Sequence, residues 1–151
     1  MILFKETGYM IQLPSVQQIR AILQDNTIIA VVGLSPKTER PSNQVARYML
    51  EAGYRIIPVN PGQNEILGAV CYPDLGSVPE RIDIVNIFRR SDQVLPIVQD
   101  TLATKAKVIW MQEGIVSEPA ARMAEEHGLI VIMDRCIKVA HQQYFSSPQE
   151  V

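Results

Sequence analysis

Five short apolar runs constrain the fold of this chain more than any other feature of its sequence. Each run is rich in β-branched residues, and continuous apolar runs of this length are typical of strands buried on both faces. Helical patterns separate most of them, and strands that alternate with helices form parallel sheets with right-handed crossovers. The sequence therefore predicts a doubly wound α/β domain of five parallel strands. The predicted strands are residues 27–32, 54–60, 82–88, 107–112 and 129–134.

Helix start and stop signals fall between the predicted strands. Serines predict N-caps, glycines predict left-handed residues after helix ends, and apolar residues recur at helical spacing between them. The predicted N-caps are Ser15, Ser42, Ser91 and Ser117, and the predicted stops are Gly53 and Gly128. A short helix is predicted after Cys136, and the turn-rich residues 61–81 are predicted to form a short helix or a loop. This layout is Rossmann-like, with helices on both faces of the sheet.

The length and charge of the chain limit its class. With 151 residues, we expect one domain over residues 1–151, of which residues 1–14 are an N-terminal extension. The net charge of −2 predicts no general attraction to nucleic acid or to anionic membranes, and the apolar runs are far shorter than a membrane span. No export signal is recognised at the start of the chain. Cys71 and Cys136 lie far apart, so we expect reduced thiols in a cytoplasmic protein without a metal site.

Polar or small residues follow each predicted strand. In a doubly wound sheet, ligands bind beyond the carboxyl ends of the strands, where the strand order reverses. Because parallel strands end at the same edge, we expect these segments to lie together and to form the functional site. They are residues 33–42, 60–61, 88–90, 112–115 and 134–136.

The first of these segments predicts an anion site. Gly33 permits a tight turn, and the helix that follows offers free N–H groups and the positive end of its dipole. The polar side chains of the loop supply hydroxyl donors and positive charge: Ser35, Thr38, Ser42, Lys37 and Arg40. A diphosphate matches this set. The alternative is a solvated turn whose cations face water, but a position after the first strand of this fold favours the ligand.

The same loop argues against the commonest dinucleotide site. The Gly-x-Gly-x-x-Gly fingerprint is absent, because Ser35 and Thr38 stand where its second and third glycines would be. An NAD site also needs Asp or Glu at the end of the second strand, where this chain has Asn60. The uncharged Asn60 would tolerate a nearby phosphate. NAD is therefore disfavoured, and an NAD(P)- or flavin-dependent oxidoreductase is kept as an alternative.

Four stretches of the sequence together carry a family resemblance. They are VVGLSPKTERPSNQVARYM, IIPVNPGQNEILG, DIVNIFRRSDQV and VIWMQEGIVSEPAARMAEEHGLIVIMDRCI. They resemble the CoA-binding domain family, in particular its stand-alone bacterial members. That domain is similar to the N-terminal part of the succinyl-CoA synthetase α-subunit. The resemblance covers about residues 19–141, and the combination of VNP, FRR and WMQ-x-G at strand ends is specific.

The resemblance implies that the ligand is coenzyme A, a 3′-phosphorylated ADP with a pantetheine arm, whose negative charge suits a loop with cations. By position, the family's phosphate loop corresponds to Gly33, Ser35, Pro36, Lys37 and Thr38, and its loop near the adenosine corresponds to Asn60 and Pro61. The end of the third strand corresponds to Phe88 and Arg89. The segment that lines the pantetheine side corresponds to Met111, Gln112, Glu113 and Gly114. Relatives often have a basic residue after the Asn-Pro pair, whereas residues 62–64 here are uncharged. Arg40 or Arg89 is expected to supply that charge.

The resemblance also implies a limited activity. The larger synthetases carry ATP-handling parts that are not recognised in this sequence, so we expect a protein that binds CoA or acyl-CoA without catalysis of its own. A homodimer or an unknown protein partner is left open. A further alternative is a thiol-responsive regulatory module, because Arg135 and Lys138 surround Cys136 with positive charge. The plainer interpretation of Cys136 is a half-buried packing residue.

Overall fold

The structure, a computed structural model, describes residues 1–145 and contains nine strands and five α-helices within them. The strands are β1 (Ile2–Phe4), β2 (Tyr9–Ile11), β3 (Ile28–Val32), β4 (Arg55–Val59), β5 (Glu65–Ile66), β6 (Ala69–Val70), β7 (Ile84–Ile87), β8 (Val108–Met111) and β9 (Ile130–Ile132). The helices are α1 (Val16–Asp25), α2 (Pro41–Glu51), α3 (Val94–Thr101), α4 (Glu118–Glu126) and α5 (Ile137–Phe145). Short 3₁₀ turns lie at Leu75–Ser77 and Ser91–Gln93.

Five of the strands form one parallel sheet in the order β4, β3, β7, β8 and β9. The predicted doubly wound sheet of five parallel strands is therefore confirmed. The second of these strands in the chain, β4, lies on one side of β3, and the third, β7, lies on the other. The winding direction thus reverses between β3 and β7, and the loops after these two strands leave toward opposite faces of the sheet. In doubly wound sheets a crevice lies between two such loops.

Helices cover both faces of the sheet, as predicted. On one face, α1, α2 and α5 bury a core that includes Met49, Trp110 and Ile137. On the other face, α3 and α4 pack through Val98, Ala124 and neighbouring apolar residues. Each strand is thus buried from both sides, which explains the continuous apolar runs in the sequence. Among residues 1–145, no helix has the length and apolar character needed to cross a membrane.

Several predicted helix ends are confirmed. Ser15 caps α1 through a capping box with Gln18, and the Ser117 hydroxyl accepts a hydrogen bond from the N–H of Ala120 at the start of α4. Gly53 and Gly128 lie just past the ends of α2 and α4 with φ of 102° and 82°. At these four helix ends, the serine and glycine signals in the sequence therefore predict the observed boundary. The predicted helix after Cys136 is α5.

Two predicted N-caps are wrong. Arg40, not Ser42, is the N-cap of α2, and Ser91 opens a 3₁₀ turn that precedes α3. In both cases the serine hydroxyl serves a loop instead of its own helix. Ser42 Oγ accepts from the N–H of Ser35 over 3.0 Å, and Ser91 Oγ accepts from the N–H of Val116 over 2.9 Å.

Two small hairpins lie outside the parallel sheet. Residues 61–81, predicted as a short helix or loop, contain the hairpin of β5 and β6 as well as the first 3₁₀ turn. Residues 1–14 contain the hairpin of β1 and β2, which is bound to α4. The Tyr9 hydroxyl donates to Glu125 over 2.5 Å, and the N–H of Gln12 donates to the same carboxylate over 2.9 Å. The hydrogen bond to Glu125, aided by burial, raises the pKa of Tyr9 to about 12.

Candidate functional site

Gly33 lies at the point where β3 and β7 approach each other at the crevice. Its φ is 90°, and its N–H donates to Val59 O over 2.8 Å. A Cβ atom built at Gly33 would lie 2.2 Å from Phe88 O, far inside van der Waals contact. The glycine is therefore required for two reasons, the left-handed backbone and the close approach of the Phe88 carbonyl.

The loop after Gly33 is held in one conformation by side chains from α2. Ser35 is bound on both sides, because its N–H donates to Ser42 Oγ over 3.0 Å and its carbonyl accepts from Asn43 Nδ2 over 2.8 Å. Further along, Arg47 Nη2 donates to Thr38 O over 2.8 Å. These hydrogen bonds give the loop a defined shape.

Lys37 and Arg40 are the exposed cations of this loop. Within residues 1–145, neither forms an ion pair. Arg40 is also the N-cap of α2, and no side chain among the described residues caps this helix, so its first N–H groups lack side-chain acceptors there. Free N–H groups and two positive charges without an ion-pair partner therefore lie together in the segment between β3 and α2, an arrangement suited to an anion.

Asn60 connects the end of β4 to this loop. Its side-chain Nδ2 donates to Leu34 O over 2.7 Å, and its backbone N–H donates to Tyr72 O over 2.9 Å. Cys71 Sγ donates to the carbonyl of Asn60 over 3.4 Å. Asn60 therefore has a structural role, and its predicted contact with an adenosine stays a prediction. The next residue, Pro61, is exposed.

Phe88 and Arg89 lie across the crevice at the end of β7, and both are half-buried. Arg89 borders a cavity of about 150 Å³ at the carboxyl ends of β3 and β4, and Pro61 lines the same cavity. The structure thus brings together segments that are far apart in the sequence. A cavity of about 450 Å³ lies elsewhere, beside the edge strand β9 and three strands from β3. That cavity has no Lys or Arg side chain in its lining, so it offers no cation to a phosphate, whereas the loop after β3 does.

The segment after β8 is divided between the core and the surface. Met111 is fully buried in the core, and Gln112 is 4% exposed, with its Oε1 accepting from the N–H of Ile137 over 2.9 Å. Glu113 and Gly114 are exposed, and the N–H of Gly114 donates to Asp134 Oδ1 over 2.7 Å. Of the four predicted site residues after β8, Glu113 and Gly114 are therefore the two at the protein surface.

Three polar residues were not predicted from the sequence. Asn43 and Arg47 support the first loop and are joined by a hydrogen bond from Arg47 Nε to Asn43 Oδ1 over 2.9 Å. Asn86 lies in the central strand β7, is 1% exposed, and has no side-chain hydrogen-bond partner among the described residues. The sequence signals were an Asn–Arg pair four residues apart on a helix and an Asn inside an apolar strand.

Residues 1–145 contain no group of three or more metal-ligating side chains.

The two cysteines lie in different surroundings. Cys71 is buried at 6% exposure, and burial raises the pKa of its thiol. Cys136 is half-buried just before α5, where its carbonyl accepts from the N–H of Ala140 over 3.0 Å. Both are free thiols. The structure gives no geometric support to the alternative of a thiol-responsive module.

We expect iodoacetamide to alkylate Cys136 before Cys71 in the native protein. The thiolate is the reactive form, and the buried Cys71 combines poor access with a raised pKa. Peptide mass mapping after timed alkylation measures both rates, and the rates should converge in denaturant. Faster alkylation of Cys71 under native conditions would contradict the placement of the two side chains.

The fold and the first loop define a class, a doubly wound α/β domain with a cation-bearing loop at the point where the strand order reverses. The family model described as CoA binding domain matches residues 27–142. The chain belongs to this CoA binding domain family, and the predicted family membership is confirmed.

Known proteins similar to this chain extend the family match. The protein YneT of Bacillus subtilis (strain 168) is 49% identical over 130 residues, which cover 86% of this chain and 96% of YneT. A solved structure of a hypothetical protein from Pyrococcus horikoshii OT3 superimposes with a TM-score of 0.85 at 37% identity, covering 87% of this chain and 92% of that one. Acetyl-coenzyme A synthetase 1 of Ca. Korarchaeum cryptofilum, solved with phosphate and ADP, has a TM-score of 0.63 at 27% identity. The match covers 72% of this chain and 26% of the synthetase.

Proposed function

We propose that this chain binds coenzyme A across the crevice between β3 and β7. Membership of the CoA binding domain family supports the identity of the ligand. The proposed position of CoA rests on the first loop, residues 33–42. There the exposed Lys37 and Arg40 have no ion-pair partner among the described residues and lie beside the uncapped start of α2. Phosphates supply the negative charge that this arrangement lacks.

In this arrangement each part of CoA contacts a different segment of the crevice. The diphosphate or the 3′-phosphate contacts residues 33–42, and the adenosine lies near Asn60 and Pro61. The pantetheine arm passes Phe88 and Arg89 toward Glu113 and Gly114. Support for this path comes from the hydrogen bond between Asn60 and Leu34 and from the shared cavity of Pro61 and Arg89, which bring these segments to one edge of the sheet.

The proposed role is binding of CoA or acyl-CoA, without catalysis by this chain alone. The similar acetyl-coenzyme A synthetase is a much longer protein, and the match covers 26% of its length. We therefore do not propose the synthetase activity for this chain. Two free cysteines agree with a reducing compartment, and we propose a cytoplasmic location.

We expect CoA to raise the melting temperature of the protein more than NAD, NADP or FAD. A ligand that binds only the folded state at 100 times its Kd stabilises it by about 2.7 kcal/mol, which corresponds to roughly 5–11 °C for a chain of this length. Thermal shift with each ligand at equal concentration measures the order, and dephospho-CoA isolates the contribution of the 3′-phosphate. A shift with NAD as large as that with CoA would contradict the proposed ligand.

A further inference from the structure

Arg47 lies inside α2 and makes two directed hydrogen bonds, one to the loop before the helix and one to Asn43 on the helix itself. Its Nη2 donates to Thr38 O over 2.8 Å, and its Nε donates to Asn43 Oδ1 over 2.9 Å. The Nδ2 of Asn43, a residue that is 1% exposed, donates in turn to Ser35 O over 2.8 Å. One chain of hydrogen bonds that starts at Arg47 therefore fixes two carbonyl groups of the loop.

The bond to Thr38 O sets the orientation of the peptide that joins Thr38 to Glu39. A trans peptide is planar, and its N–H points opposite to its C=O. Since this carbonyl accepts from the guanidinium of Arg47, the N–H of Glu39 points away from that guanidinium. Within the described residues, the N–H groups of Thr38 and Glu39 have no protein acceptor.

The other N–H groups in the middle of this loop are already used. The N–H of Lys37 donates to Ser35 Oγ over 3.1 Å, and that of Arg40 donates to Lys37 O over 3.1 Å. The N–H of Ser35 donates to Ser42 Oγ. Thr38 and Glu39 are therefore the positions between the two cations that still present free backbone donors.

We propose that Arg47 is a positioning residue of the anion site, which holds the peptide between Thr38 and Glu39 so that its free donor faces a bound phosphate. The inference rests on the proposed function, since it concerns the loop assigned to phosphate. A loop fixed before binding avoids the cost of ordering it when the ligand arrives. Arginine is suited to this role because its planar guanidinium makes two directed bonds at once, which lysine cannot reproduce.

Arg47→Lys tests the proposal, because it keeps the charge and removes the paired geometry. We expect CoA affinity, measured by isothermal titration calorimetry, to fall roughly 10- to 150-fold, which is the effect of losing one hydrogen bond to a charged phosphate. In the ligand-free protein, we expect faster amide hydrogen exchange at Lys37 and Arg40, and little change in the core strands. Arg47→Ala should lose about as much affinity as Arg47→Lys. Arg20→Lys, the same change on an exposed position of α1, should alter neither measurement.

The possible results separate this inference from the proposed function. If the wild type binds CoA and Arg47→Lys binds it equally well, Arg47 does not position the loop. The same holds if Arg47→Ala loses affinity and Arg47→Lys does not, since charge alone would then explain the effect. A wild-type protein that binds no CoA contradicts the proposed function, and the exchange of the loop amides still tests the support by Arg47. Unchanged exchange in both variants overturns the inference.

Discussion

Gly33→Ala is expected to lower the free energy of unfolding by at least about 3 kcal/mol. The new Cβ would lie 2.2 Å from the carbonyl oxygen of Phe88, a backbone atom directly after β7, and Phe88 is itself held to β3 by the hydrogen bond from its N–H to Val32 O over 2.8 Å. The φ of 90° adds the strain of a left-handed alanine. A loss of this size lowers the melting temperature of a chain of this length by roughly 6–12 °C. Thermal and urea unfolding measure it.

Gly62→Ala is the matched control for this substitution. Gly62 has a similar φ of 86°, but a Cβ there would meet no atom within 4 Å. The control carries the backbone strain without the steric clash and should cost about 1–2 kcal/mol. Equal losses in the two variants would show that β3 and β7 do not approach each other as closely as the structure places them.

The fold followed from the sequence because its strongest signals are local and redundant. Each observed strand of the parallel sheet lies inside a predicted apolar run; β3, for example, is Ile28–Val32 within the predicted residues 27–32. A strand buried from both faces must be apolar along its length, so the pattern leaves few alternatives. The serine caps were less reliable, since a hydroxyl can also bind a distant N–H. Pro41 at the first position of α2 gave the better signal for its start.

The site could be predicted only in part. The edge of the sheet and the cation-bearing loop followed from topology, because parallel strands end together. The direction of each side chain did not follow. The Oε1 of Gln112 accepts from the N–H of Ile137, a partner 25 residues away, and its predicted contact with the ligand stays a prediction. The support of the loop by Arg47 also depends on the folded path of residues 35–40. These contacts form in three dimensions and leave no periodic pattern in the sequence.

Lys37→Ala and Arg40→Ala should each weaken CoA binding roughly 10- to 150-fold, because hydrogen bonds to a charged group contribute about 1.5–3 kcal/mol. Both side chains are exposed and form no ion pair with the described residues, so their removal should change the stability of the ligand-free protein by less than about 0.5 kcal/mol. Calorimetric titration with CoA measures affinity, and thermal unfolding without ligand measures stability. A large loss of affinity with unchanged stability assigns the effect to contact with the phosphates.

Lys105→Ala provides the charge control. Lys105 is an exposed lysine in the turn before β8, so it lies at the amino ends of the parallel strands, whereas the first loop follows the carboxyl end of β3. It removes one positive charge from the protein without touching the first loop, so it should leave CoA affinity almost unchanged. Added salt gives a second comparison, because screening weakens the attraction between exposed charges and the phosphates. Salt should therefore lower the affinity of the wild type more steeply than that of the Lys37→Ala/Arg40→Ala double variant. If the wild type binds CoA and both single variants bind it equally well, the phosphates lie outside residues 33–42, and the proposed position of the ligand is wrong.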